Sequence, residues 1–477
     1  MNNYKNILSY LQVSVNELDT TNNAGIYFLG IGGIGMSAIA RYFNSIGVRV
    51  SGYDKTPTAL TSQLIAEGIV IYFDDNIELL DKMAQLVVYT PAVPANHNQL
   101  NYYLQHQYPV VKRSDVLQAI TASSFNICIA GTHGKTTTST MVAHILTHSE
   151  FGCNAFLGGV ATNYATNFLG SGKAVCVVEA DEYDRSFLKL SPDMAIISSM
   201  DPDHLDIYGN AENMEQAFID FSARIKPGGL LLSKFGLARK AALKGERQLT
   251  YDLQNEAADV YATNIRIING GYRFDVTSND WVLKNVLLNM GGMHNIENVL
   301  AAITIAHHLK ITDDKIINAV AKFEGVKRRF EYIIKTEKLV YIDDYAHHPE
   351  ELRALITGAK KLFSNKKCMV VFQPHLFSRT KDFAEEFAAA LDLADEIVLL
   401  PIYPARELPM EGVTSELILE KMLSENKVIL SKENVLKHLE QEMAAHIEEG
   451  FEGTILITAG AGDIDTLIMP IKKILKK

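Results

Sequence analysis

The chain has 477 residues, of which 47% are hydrophobic and 21% charged, with a formal net charge of −11 at pH 7. That length exceeds one hydrophobic core and predicts several domains. The acidic balance speaks against a general nucleic-acid or anionic-membrane binder, and no apolar run reaches the roughly 20 residues that cross a bilayer.

The N-terminus lacks an apolar run followed by a small-residue cleavage site, so a cytoplasmic location is expected. Residues 1–24 are polar and mixed and predict a short helix with a loose lead-in. From residue 25 strands and helices alternate. GIYFLGIGGIGM predicts a strand and turn, SAIARYFNSIG a helix and VRVSGYD a strand. TALTSQLIAEG, AQLVVYTPAV and YPVVKRSDVLQAI continue the alternation. Such alternation implies a parallel, doubly wound sheet. A second run of strands follows in NICIAG, KAVCVVEAD, DMAIISSMD and GGLLLSK. Residues 245–290 predict antiparallel hairpins with Asn269-Gly270-Gly271 as a turn. GGMHNIENVLAAITIAHHLKI returns to a helix, on which His307 and His308 are expected to be structural. A third run comprises a hairpin through YIDDYAHHPEE and strands in KKCMVVFQPHLF, ADEIVLLPIYP and GTILITAGAGD. Cys128, Cys176 and Cys368 lie in strand-like runs, and Cys153 stands apart. No CxxC spacing occurs, so buried thiols are expected, with neither a disulfide frame nor a zinc site.

The turn Gly30-Ile31-Gly32-Gly33-Ile34-Gly35 satisfies GxGxxG between a strand and a helix, and Asp54 ends the next strand 19 residues beyond Gly35. Its amides could face a diphosphate with Asp54 on a ribose hydroxyl; its glycines could equally serve close helix–sheet packing. The turn cannot separate NAD from a nucleotide-sugar.

A second turn, Gly131-Thr132-His133-Gly134-Lys135-Thr136-Thr137, has a phosphate loop's ingredients but not Walker A spacing. Only two residues separate Gly131 from Gly134-Lys135, where Walker A has four. A strand–turn–helix that only packs would not need Lys and Thr straight after Gly. Lys135 is suited to terminal phosphates and Thr136 to Mg²⁺. Two strand ends then carry acids: Glu179, Asp181, Glu182 and Asp184, and Asp201, Asp203, His204 and Asp206. Ligands sit at such ends in open α/β sheets, and Mg²⁺ takes few carboxylates beside phosphate oxygens. Asp343, Asp344, Tyr345, His347, His348, His375, Ser378 and Arg379 mark a third polar strand-end cluster.

In order, GIGGIGMS, AGTHGKTTT, EADEYDRSF, DPDHLD, MHNIENVLAA, KRRFE, DDYAHHPEE, QPHLFSRT and AGAGDID resemble the motifs of the Mur ligase family over about residues 25–477. The family's ATP loop is the same shortened GTHGKT. The resemblance implies an α/β protein of three domains after an extension at 1–24. A Rossmann-like domain at 25–122 would bind UDP-sugar through Gly30, Gly32, Gly33, Gly35 and Asp54. A central P-loop ATPase-type domain at 123–325 would have a mostly parallel sheet with an antiparallel hairpin region. A Rossmann-like C-terminal domain at 326–477 would bind the amino acid.

Carried over by motif, ATP would meet Gly131, Thr132, His133, Gly134, Lys135, Thr136 and Thr137, with Asn295 and Asn298. Arg329 and Asp344 would engage ATP from the domain junction. Thr136 and Glu179 would hold one Mg²⁺ and His204 a second. Tyr345, His347, His375 and Arg379 would lie on the amino-acid and lactyl side. Apart from the motifs, His347 is a candidate base for the amine proton. The implied reaction joins L-alanine to the lactyl carboxylate of UDP-N-acetylmuramate through an acyl phosphate. The implied partners are these substrates and ATP, with no nucleic acid and no membrane insertion, in a monomer or homodimer. Leu376 departs from members with a second Arg there, which leaves carboxylate capture to Arg379. Lys226, before Pro227-Gly228-Gly229, looks structural, so the carbamylated lysine of related ligases is not expected. The alternatives are a ligase recycling murein tripeptide, an NAD-dependent dehydrogenase and a non-catalytic nucleotide-regulated binding protein.

Overall fold

The structure, a computed structural model, describes residues 2–13, 25–202, 205–405, 407–448 and 452–476. The expected helix near the N-terminus is present at Asn2–Tyr10, while most of the expected lead-in and His204 lie outside the described residues. The chain divides into two compact units. One comprises Met1–Ala262, Val276–Leu283 and Glu297–Val320; the other comprises Thr263–Asp275, Lys284–Ile296 and Ala321–Lys477.

The first unit opens with a five-stranded sheet in the order Val70–Tyr72, Arg49–Tyr53, Gly25–Leu29, Leu86–Tyr89, Val110–Lys112, all parallel. The order reverses beside Gly25–Leu29, so the glycine turn that follows this strand stands at the switch point where ligands bind in such sheets. Every residue of that central strand is buried, as expected of a strand covered on both faces. The helix after the turn, Ile34–Ser45, sets Tyr42 against Phe156 and Phe168, with ring centroids 5.7 and 6.0 Å apart. Those rings belong to Asn154–Ala161 and Thr166–Leu169, an antiparallel pair that the sequence pattern did not reveal. Gly158 and Gly159 interrupt its apolar alternation, which hides the strand signal.

A larger sheet of ten strands runs in the order Val282–Leu288, Gly271–Ser278, Val260–Ile268, Arg247–Asp252, Leu230–Lys234, Met194–Ile197, Phe125–Ala130, Val175–Glu179, Asn154–Ala161, Thr166–Leu169. The antiparallel expectation for 245–290 needs correction at its start. Arg247–Asp252 pairs parallel with Leu230–Lys234 and with the beginning of Val260–Ile268. Hairpin geometry begins only at Asn269 and Gly270, whose φ values of 47° and 67° suit a two-residue turn. His307 stacks on Trp281 at 4.3 Å and His308 meets Arg247, in keeping with structural roles. Lys226 pairs with Asp193 at 2.7 Å.

The second unit holds a six-stranded sheet in the order Glu331–Lys335, Leu339–Asp344, Thr454–Ala459, Lys367–Phe372, Glu396–Leu399, Lys427–Ile429. Its first pair is antiparallel and the rest parallel. Helices at Pro349–Leu362, Ala384–Leu391, Lys432–Glu448 and Ile468–Leu475 flank these strands along the chain. All four cysteines are free and buried, and among the described residues no helix is long and apolar enough to cross a membrane.

Candidate active site

The short loop works by two left-handed glycines. Gly131 has φ 136° and Gly134 φ 81°. A Cβ on Gly131 would stand 2.2 Å from Ser198 Oγ, and one on Gly134 2.7 Å from Asn298 Oδ1. Gly134 caps the helix Lys135–His148 without a side-chain hydrogen bond, so the first-turn amides have no side-chain cap and favour an anion. Ser198 and Ser199, at the end of the neighbouring strand, brace the loop from below. Ser199 Oγ accepts from His133 N–H at 2.8 Å and lies 2.9 Å from Thr132 Oγ1, while Ser198 Oγ donates to the His133 carbonyl. Sequence reading did not single out these serines, because nothing local separates them from ordinary strand residues. Thr137 is buried, and the Thr138 hydroxyl donates to Asn298 Oδ1 at 3.1 Å.

The four acids of EADEYD have four different fates. Glu179 ends its strand with Oε1 accepting from Thr136 Oγ1 at 3.1 Å and Oε2 from Gly158 N–H at 3.0 Å. Glu182 is fully buried and takes Lys135 Nζ at 2.7 Å, while that ammonium also donates to the Gly131 carbonyl at 2.7 Å. Burial raises the Glu182 carboxyl above its ordinary range, and the Lys135 charge offsets this only in part. Asp181 faces Arg113 at 3.7 Å, and Asp184 accepts from Ser186 N–H. Thr136 and Glu179 thus offer two hard oxygen donors side by side, the donor set Mg²⁺ prefers.

A cavity of about 130 Å³ adjoins this group, lined by Gly35, Arg113, Ser114, Gly158, Glu179 and Asp181 among others. It brings the helix of the glycine turn next to Glu179 inside one unit. In the turn itself Gly30 has φ 84°, and its N–H donates to the Tyr53 carbonyl at 2.8 Å. Gly33 precedes the helix as its cap. Gly32 N–H donates to Asp54 Oδ2 at 2.7 Å, while Asp54 Oδ1 accepts from Thr56 N–H. Asp54 therefore shapes the turn directly.

In the second unit, Asp344 accepts from the N–H groups of Phe330 and Ala346 at 2.6 and 2.7 Å. Burial lifts its carboxyl to about 6 and that of Asp343 to about 7, against the pull of Arg329 and Arg328 respectively. Arg329 is exposed, between Arg328 and Phe330 with φ 60° and 50°. Arg328, which sequence reading passed over, lies 3.7 Å from Asp343, binds the Gly460 carbonyl and covers the Tyr345 ring at 5.1 Å. His347 bonds the Tyr345 carbonyl, lies 3.4 Å from Glu351 and sits 6.1 Å, ring to ring, from His375. Burial lowers the pKa of His347, and burial with Arg379 nearby takes His375 down to about 4. His375 stacks on Tyr403, and among the described residues both its Nδ1 and Arg379 Nη1 are buried without a hydrogen-bond partner. Leu376 takes φ 71° just before the helix Phe377–Asp382. Asn295, in this unit, donates to the Gly291 carbonyl.

A lysine-bearing phosphate loop between two carboxylate-bearing strand ends, beside a second nucleotide-type sheet, defines a nucleotide-dependent enzyme of the α/β class. The chain belongs to the Mur ligase family: it matches the Mur ligase family, catalytic domain at 25–125, the Mur ligase middle domain at 129–306, and the Mur ligase, glutamate ligase domain at 328–462. It is 47% identical over 456 residues to the UDP-N-acetylmuramate–L-alanine ligase of Flavobacterium johnsoniae, covering 95% of this chain and 98% of that one. Among solved structures it resembles the UDP-N-acetylmuramate-alanine ligase of Thermotoga maritima, with TM-score 0.81 and 29% identity over 95% of this chain and 99% of that one. A murein peptide ligase of Psychrobacter arcticus shares the fold at TM-score 0.65 and 23% identity, covering 95% and 98% of the two chains.

Proposed function

We propose that this chain is an ATP-dependent acid–amino-acid ligase. It joins L-alanine to the lactyl carboxylate of UDP-N-acetylmuramate, giving UDP-N-acetylmuramoyl-L-alanine, ADP and phosphate for peptidoglycan precursor synthesis in the cytoplasm. The observation that carries the reading is the Lys135 loop with Thr136 and Glu179 beside it, Glu179 also lining the cavity bordered by the helix of the glycine turn. Residues 25–122 are assigned to the UDP-sugar, 123–325 to ATP and 326–477 to the amino acid.

A carboxylate is a poor electrophile, so it first attacks the γ-phosphate of ATP, releasing ADP and forming an acyl phosphate. Two anions must approach, and the Lys135 ammonium with the loop amides offsets their repulsion. Mg²⁺ held by Thr136 and Glu179, with a second site at His204, would supply further charge neutralisation. The neutral amine of alanine then attacks the acyl carbon and phosphate leaves. His347, with its pKa lowered by burial, is available as neutral imidazole to take the amine proton. Arg379, whose buried Nη1 has no hydrogen-bond partner among the described residues, suits the alanine carboxylate.

Purified protein with Mg²⁺, ATP and UDP-N-acetylmuramate should release phosphate with L-alanine and form a hydroxamate with hydroxylamine. Release with murein tripeptide but not alanine would move the assignment to recycling. The relatives at 45–47% identity, named as UDP-N-acetylmuramate–L-alanine ligases, favour alanine. Asp54, held on the Gly32 amide, does not favour a dehydrogenase.

A further inference from the structure

Glu182 is a costly residue to keep where it stands. Its side chain is fully buried, and its Oε2 has no hydrogen-bond partner among the described residues. Its main-chain carbonyl is already satisfied by the Tyr208 hydroxyl at 2.7 Å and the Arg185 N–H at 2.9 Å. That carbonyl does not call on the carboxylate, and a neutral isostere would fill the same space without a buried charge. Among the described residues it makes one ion pair, at 2.7 Å, with Lys135.

The effect on Lys135 is specific. An ammonium has three N–H bonds. The Gly131 carbonyl and Glu182 Oε1 each take one at 2.7 Å, from opposite ends of the chemistry: one acceptor is the loop's own backbone, the other the end of the Glu179 strand. Two fixed acceptors leave the four-carbon stem little freedom and direct the third N–H. The same carboxylate neutralises much of the lysine charge in a poorly solvated place, where charge is felt strongly.

We propose that Glu182 is a positioning residue of the phosphate loop, whose buried carboxylate aims the Lys135 ammonium and withholds part of its charge from a bound nucleotide. It rests on the ATP-loop reading above. An ammonium at full charge would hold a diphosphate as well as a triphosphate more tightly, because both present anionic oxygens to it. Tempered by Glu182, the loop can bind ATP and still release ADP each turnover.

The test titrates ADP and a non-hydrolysable ATP analogue, with Mg²⁺, into the full-length protein and its variants, alongside steady-state kinetics. Glu182→Gln keeps the shape and one acceptor but removes the charge. Both dissociation constants should fall about three- to tenfold, a modest share of a unit charge's effect at this separation, and kcat should fall as ADP release slows. Unchanged or weaker binding overturns the proposal. Glu182→Asp keeps the charge but withdraws the acceptor, so kcat should fall with ADP affinity within about twofold; it also decides the matter should the Gln variant not fold. A wild-type kcat in Glu182→Asp would remove the aiming role. In a Lys135→Met background Glu182→Gln should leave ADP affinity unchanged, whereas tightening there would show that the carboxylate does not act through the lysine. Failure of the unaltered protein to bind either nucleotide would instead remove the ATP-loop reading.

Discussion

Replacing Lys135 by Met should damage stability as well as turnover, and the two losses can be separated. The lysine side chain is 14% exposed and its partner Glu182 0%. Met keeps the stem's bulk but leaves a buried carboxylate unpaired, an event that costs about 3–5 kcal/mol when a buried pair loses one member. At roughly 2–4 °C per kcal/mol for a domain of this size class, the unfolding temperature should drop by about 6–20 °C. Turnover should fall at least about 10²–10³-fold, the usual cost of removing one group that stabilises developing charge. Adding Glu182→Gln should restore most of the lost stability and none of the activity. The deficit also has a pH signature. Burial raises the Glu182 pKa, so without Lys135 the protonated carboxyl is tolerated at low pH, and the penalty opens as pH rises through that raised value. Calorimetry of the single and double variants between pH 5 and 8, beside phosphate-release assays, checks each part. A Lys135→Met protein that melts within a degree of the unaltered chain at pH 8 would refute the reasoning, because the pair would then carry no energy.

Gly134→Ala combines a left-handed φ of 81° with a Cβ 2.7 Å from Asn298 Oδ1; it should cost about 1–3 kcal/mol and abolish ATP-analogue binding, read by thermal melts and titration. Asp343, with its carboxyl lifted to about 7, favours the fold while protonated. Its contribution is complete below the ordinary carboxylate range and is lost as pH rises from about 4 to 7, so Asp343→Asn should gain on the unaltered protein in unfolding temperature across that interval; a difference that stays flat with pH would count against the assignment. Chelating Mg²⁺ should stop turnover, and Glu179→Gln should raise the Mg²⁺ needed for half activity by at least roughly the tenfold that losing an outer-shell partner costs, with UDP-N-acetylmuramate affinity retained.

Much of this site could be read from local pattern. Glycine at 131 and 134 followed by Lys135 and Thr136 implies a turn into a helix with exposed amides, because φ constraints and helix capping act within a few residues of the chain. The strands ending at Leu29, Ala130 and Glu179 declare themselves by apolar runs stopped by glycine or charge. The glycine-interrupted pair at 154–169 did not, nor did the parallel pairing of Arg247–Asp252, since pairing partners lie outside any local window.

Residue chemistry and short-range spacing were set by the sequence alone: which segments are strands, where the amide cradle forms and what family its motifs resemble. Only tertiary structure decided which of four neighbouring acids answers Lys135, and that Asp54 binds the Gly32 amide. The reason is geometric. Lys135 and Glu182 are 47 positions apart in the chain, and their meeting depends on two strands lying side by side in the sheet, each delivering its terminal loop to the same place.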